Sequence, residues 1–135
     1  MRTHRRLLIA LGATLLVLLI VSSTTLIVLN SRGQAQPEAV AALESDALVA
    51  VSQVAGQDWH VFAPTAVKAT TGLILYPGGF VDPVAYAPIA RAIAGRGFLV
   101  VIDPMPLNLA VTDVSSADAI IAAHPEIAHL SLIHI

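Results

Sequence analysis

The stretch Leu73-Ile74-Leu75-Tyr76-Pro77-Gly78-Gly79-Phe80-Val81-Asp82 is an apolar run that stops on a Pro-Gly-Gly turn and opens into a helical pattern. Apolar residues closed by Pro77 predict a buried strand, and Gly78 and Gly79 allow backbone N–H groups to turn toward whatever lies beyond its carboxyl end. Open α/β sheets place their ligands there. After the turn, Tyr86, Ile89, Ala90, Ile93 and Ala94 recur at helical spacing, with Arg91 and Arg96 expected outside. Pro88 fits only in the first turn, so the helix is expected to start near Ala85 or to be kinked there. Gly95 and Gly97 end it, and Phe98-Leu99-Val100-Val101-Ile102 predicts a second buried strand. Two apolar strands joined by a helix make a βαβ unit with parallel strands.

The flanking segments extend this unit. Upstream, Ala47 to Val54 and Trp59 to Ala63 predict an antiparallel hairpin around a loop of Ala55 to Asp58. Trp59, Val61 and Ala63 alternate with His60 and Phe62, which predicts one buried face, and Pro64 ends the arm. Asn30 to Pro37 has linker composition, and Pro37 can open a short helix over Glu38 to Glu44 with Val40 and Leu43 three apart. Downstream, Asp103 to Asn108 is a Pro-rich loop. Ser115-x-x-Asp118 has the form of a capping box with the shorter acid, and Val114, Ala117, Ile120 and Ile121 give the stripe of another helix. Pro125 stops that helix, and Ile127 to Ile135 is expected to begin a third parallel strand.

The composition, 56% hydrophobic and 12% charged, is too apolar for an ordinary soluble domain, and much of the excess lies in one place. Leu7 to Leu29 carries no charge and as a helix would run about 35 Å, enough to cross a hydrocarbon core of about 30 Å. Arg2, Arg5 and Arg6 precede it, which predicts a cytoplasmic N-terminus and an exported remainder. The competing reading is a cleaved signal peptide and a secreted product, since Leu7 to Val21 followed by Ser22 to Thr25 also suits one. The apolar run resumes at Leu26 to Leu29, which favours the uncleaved anchor. From Asn30 onward nine acidic residues face four basic ones, a balance of −5, which argues against nucleic-acid binding. The chain has no cysteine, so disulfide frameworks and thiol chemistry are excluded.

Hairpin, strand, Pro77-Gly78-Gly79-Phe80, the pattern Asp82-Pro83-x-x-Tyr86-x-x-Ile89-Ala90-x-x-Ile93-Ala94-x-x-Gly97-Phe98, strand and helix together resemble the N-terminal half of an α/β-hydrolase. The likeness is to its esterase, lipase and dienelactone-hydrolase-like branch and covers about Asp46 to His129. It implies a partial α/β-hydrolase sheet, which here follows the single transmembrane helix expected over Leu7 to Leu29. Its order is residues 1–6 as a basic tail, 7–29 as anchor, 30–45 as linker and short helix, and 46–129 as a truncated domain. It also implies that the turn after the third strand gives one backbone N–H of an oxyanion hole, here that of Phe80 with Gly79 next. The implied substrate is a small-molecule carboxylic ester or related acyl compound, with no cofactor and no metal.

The family also requires a Gly-x-Ser-x-Gly elbow, then an acid, then a histidine. None is expected here: the serines are not flanked by glycines at elbow spacing, and Asp103 precedes any nucleophile and suits a loop or rim. His60, His124 and His129 are expected to be surface or strand residues. Leu130-Ser131-Leu132-Ile133-His134-Ile135 matches the translation of a transposase adapter end used in sequencing libraries, so 130–135 is expected to be an artefactual tail. The chain is therefore expected to be an inactive N-terminal fragment of a membrane-anchored serine hydrolase. The alternative is a non-catalytic anchored α/β domain that binds a ligand or partner at the same sheet edge. A nucleotide-binding βαβ unit fits poorly, because the turn lacks Gly-x-Gly-x-x-Gly.

Overall fold

The computed structural model describes residues 2–54, 56–106, 109, 112–113 and 115–134. Ala55 of the expected hairpin loop, Leu107 and Asn108 of the Pro-rich loop, Val114 of the helical stripe and Ile135 lie outside the described residues. The chain forms two compact units, Met1–Arg32 and Gly33–Ile135.

The first unit is helix α1, Arg2–Arg32. Its uncharged portion Ile9–Val28 is 20 residues, about 30 Å of helix, the length of a membrane span or of a long signal sequence. The Ser-Thr patch does not interrupt it. The hydroxyls of Ser22, Ser23, Thr24 and Thr25 donate to the carbonyls of Leu19, Ile20, Ile20 and Val21 at 2.8–3.1 Å, so these polar groups are satisfied inside the helix.

The second unit contains α2 (Pro37–Ala41), β1 (Val49–Gln53), β2 (His60–Pro64), β3 (Thr71–Tyr76), a 3-10 turn (Pro83–Tyr86), α3 (Ala87–Ala94), β4 (Leu99–Ile102), α4 (Ser116–Ala123) and β5 (His129–His134). The sheet order is β1-β2-β4-β3-β5. β1 pairs antiparallel with β2, and β2 with β4, while β3 is parallel to both β4 and β5. From β3 the chain crosses to β4 on one side, then passes back over β3 to reach β5 on the other. With crossovers of one hand, opposite directions of travel place α3 and α4 on opposite faces. One face packs Phe62, Leu75, Val100 and Ile102 under Ala87, Ala90 and Ala94 of α3. The other packs Val61, Ile74, Tyr76 and Val101 with Ile120 of α4. All four residues of β4 are therefore buried, and full burial of a side chain such as Ile102 is worth about 1.5–3 kcal/mol.

The hairpin, the βαβ unit and the third parallel strand form as the residues predict, with differences that tertiary pairing explains. Val61 and Phe62 are both buried, because β4 turns β2 into an interior strand with a covered surface on each side. Helix formation after the turn begins as the 3-10 turn at Pro83, and Pro88 lies in the first turn of α3. Ile89 is exposed, whereas the expected outside residue Arg91 is half-buried. Its Nε donates to the Ala42 carbonyl at 2.9 Å and its Nη1 pairs with Asp46 at 2.6 Å, tying the segment after α2 to α3. In α2 Val40 is exposed and Ala39 is buried, as is Ala42 just after it. Ser115 makes no capping bond; its hydroxyl donates to Asp113 instead, so the capping box does not form.

Candidate functional site at the carboxyl edge of the parallel strands

At the carboxyl edge the chain leaves β3 toward α3 on one face and leaves β4 toward α4 on the other. Neighbouring strands whose loops part in this way leave a crevice between their ends. The segments that meet at this point are Pro77 to Asp82 after β3 and Asp103 after β4, joined where the Asp103 N–H donates to the Leu75 carbonyl at 3.1 Å.

The turn after β3 is closed by the Val81 N–H donating to the Gly78 carbonyl at 3.1 Å. Its flanking amides are held from outside. The Gly78 N–H donates to Tyr86 Oη at 3.0 Å, and the Asp82 N–H donates to the Gly33 carbonyl at 2.6 Å. Asp82 Oδ1 in turn accepts from the Val84 N–H at 2.9 Å and starts the 3-10 turn. Between these anchors, the N–H groups of Gly79 and Phe80 meet no acceptor among the described residues. Both residues are exposed.

The backbone strain of the turn is not where the glycines suggest. Phe80 has φ +62°, in the left-handed region, which costs a side-chain-bearing residue about 1–2 kcal/mol; neither Gly78 nor Gly79 has positive φ. A bulky residue held in such a conformation needs surroundings that fix it. The sequence offered no signal for this, because the Gly pair is the expected place for unusual torsions. Tyr86 was legible as an inward-facing helix residue, but not as the acceptor for Gly78.

Asp103 is buried, 2% exposed, where a loop or rim position was expected. Burial pushes its carboxyl up from the ordinary value, opposed by the nearby Ser116 hydroxyl and Trp59 indole and reinforced by Asp113. Its Oδ2 finds no partner among the described residues. Ser116 Oγ lies 3.1 Å from Tyr76 Oη, which also accepts from the Ala117 N–H at 3.1 Å, so the start of α4 is fastened to the end of β3. Ser116 is thus committed to this buried cluster.

His60 begins β2 opposite Ile102 and so lies at the same edge. Burial pushes its imidazole down, against the pull of Asp82 and Asp58, which favours the neutral form. His129 begins β5 at the opposite edge, paired with Thr71, and His124 Nδ1 contacts Glu126 at 3.2 Å. The three histidines are therefore not brought together. Among the described residues no group of three His, Asp or Glu side chains is arranged to hold a metal ion. A groove of about 360 Å³, lined by Pro64, Val67, Lys68, Leu99, Glu126 and Ile127, opens at the amino edge, away from the turn.

The edge thus offers, on two adjacent exposed residues, backbone donors without an acceptor among the described residues, and a buried acid. Donors of this kind suit an oxygen that carries or develops negative charge. Residues 72–133, from β3 to β5, match the model of the alpha/beta hydrolase family. No curated protein and no solved structure matches the chain.

Proposed function

From the match of residues 72–133 to the alpha/beta hydrolase family, we propose that the chain supplies the oxyanion-binding half of an acyl hydrolase. The N–H groups of Phe80 and Gly79 hold the oxyanion of a carboxylic ester or related acyl substrate. The observation that supports this reading is the division of the turn's amides: those of Gly78, Val81 and Asp82 have acceptors, and those of Gly79 and Phe80 have none among the described residues, which leaves them for a ligand.

The hydroxyl that attacks, the base and the orienting acid come from sequence not contained in these 135 residues. A serine nucleophile would take its place at the carboxyl end of β5. That end lies beside the turn, because β5 runs parallel to β3 with His134 opposite Tyr76. α1 tethers the domain to a membrane, N-terminus in the cytoplasm, with cleavage and secretion as the alternative. The 135-residue chain itself hydrolyses nothing.

The test is turnover of a p-nitrophenyl ester. The purified 135-residue chain should show none above its Gly79→Trp variant. The protein encoded by the uninterrupted reading frame should be active, and Gly79→Trp should lower its kcat about 10²–10³-fold. Equal activity with and without the tryptophan would remove the turn from the mechanism. An inactive complete protein that still binds a ligand at this edge would support the non-catalytic domain instead.

A further inference from the structure

Gly33 directly follows α1 in sequence and has the composition of a linker, yet it is packed on the candidate site. Its carbonyl accepts the Asp82 N–H at 2.6 Å. A Cβ placed on it would fall on the carbonyl oxygen of Phe80 and crowd the Phe80 carbonyl carbon and Val81 Cα at 3.0 and 3.1 Å. These neighbours are backbone atoms and cannot swing aside as the end of a flexible side chain would. The close approach therefore requires glycine, and it involves the residue whose φ is +62°.

We propose that Gly33 is a positioning residue for the Gly78–Asp82 turn, clamping its far end so that the N–H groups of Gly79 and Phe80 are held ready for an oxyanion. The claim rests on the oxyanion reading above for its purpose, though not for its geometry. Tyr86 fixes the near end at Gly78 and Gly33 fixes the far end at Asp82, so the N–H groups of Gly79 and Phe80 lie on a span pinned at both sides. Donors preset in this way cost no reorganisation when charge develops. The segment that follows the apolar helix is then part of the site and not slack chain.

The experiment compares the full chain in detergent micelles with its Gly33→Ala and Gly33→Val variants by amide NMR. Gly12→Ala, where nothing lies within 4 Å, is the control. Asp82 amide exchange should quicken by about tenfold in both Gly33 variants, and the Phe80 HN–Hα coupling should change. Exchange protection at Val101, inside β4, reports whether the domain is still folded, and Gly33→Ala serves if the valine unfolds it. Folded variants with wild-type Asp82 exchange and Phe80 coupling would overturn the clamp. Titration with sodium acetate separates the two claims. Wild-type Gly79 and Phe80 amide shifts that move, and fail to move in the Gly33 variants, support positioning for an oxyanion. If they do not move in wild type while the variants still lose Asp82 protection, the oxyanion reading fails and the clamp stands.

Discussion

The carboxyl ends of β3 and β4 are neighbours in one sheet, joined by the bond from Asp103 to Leu75, yet they are built in opposite ways. The end of β3 is a turn exposed at Gly79 and Phe80, whose backbone donors have no acceptor among the described residues; it is held by Tyr86 and Gly33 and contains a residue in the left-handed region. The end of β4 is a buried carboxyl among Trp59, Tyr76, Ser116 and Met105. The first has the exposure and spare bonding capacity that a ligand site needs. The second is buried, with Asp103 Oδ2 unpartnered among the described residues, and its Tyr76 and Ser116 hydroxyls fasten α4. Position at the carboxyl edge is therefore not enough to make a residue accessible.

If this contrast is right, substitutions around the β4 end cost stability, and those at the β3 end mainly alter the turn. Ile120→Ala, removing the fully buried anchor of α4, should lower unfolding free energy by about 2–5 kcal/mol in denaturant titrations. A cost below 1 kcal/mol would mean that α4 is not what covers that face.

The next effect is on pH dependence. A buried carboxyl with a raised folded pKa binds its proton more tightly than in the unfolded chain. Its contribution is complete below the ordinary carboxylate value of about 3.9 and is lost as pH rises through the folded value. Asp103→Asn should remove that decline, so a variant with an unchanged slope of stability against pH would contradict the burial of the acid.

Tyr86→Phe should cost about 1 kcal/mol and speed exchange of the Gly78 amide, with Val101 unaffected. The smallest effect is expected from Phe80→Gly, a gain of about 0.5 kcal/mol as relief of the left-handed φ is partly offset by the freer unfolded chain. A loss of stability there would show that the ring, although 43% exposed, has a packing role.

These contrasts also mark what the sequence could disclose. Strand β3, the Pro-Gly-Gly turn, α3 and β4 were legible because each is a local pattern: an apolar run, a breaker, a 3.6-residue stripe and a β-branched run. Burial of Phe62 was not, since it follows from β2 pairing with β4 across 40 residues of chain. Ile89 and Arg91 exchanged their expected environments because three alanines, and not the larger residues, let α3 lie close on the sheet, while Arg91 reached the segment after α2. Asp103 looked like a rim residue because a Pro-rich loop follows it, but its surroundings come from β2, β3 and α4. Gly33 carried no local sign of its contact, because its partners are 47 to 49 residues away.

The central claim is that the turn after β3 is half of a hydrolase site whose other half follows β5. Sequencing the parent DNA in independent reads across and beyond the codon for His129 tests it most directly. The account predicts a frame that departs from Leu-Ser-Leu-Ile-His-Ile after His129, completes a parallel strand in the place of β5 and leads into Gly-x-Ser-x-Gly, with an acid and a histidine later in that order. A frame that encodes Leu-Ser-Leu-Ile-His-Ile in every read and runs on without that elbow would contradict it.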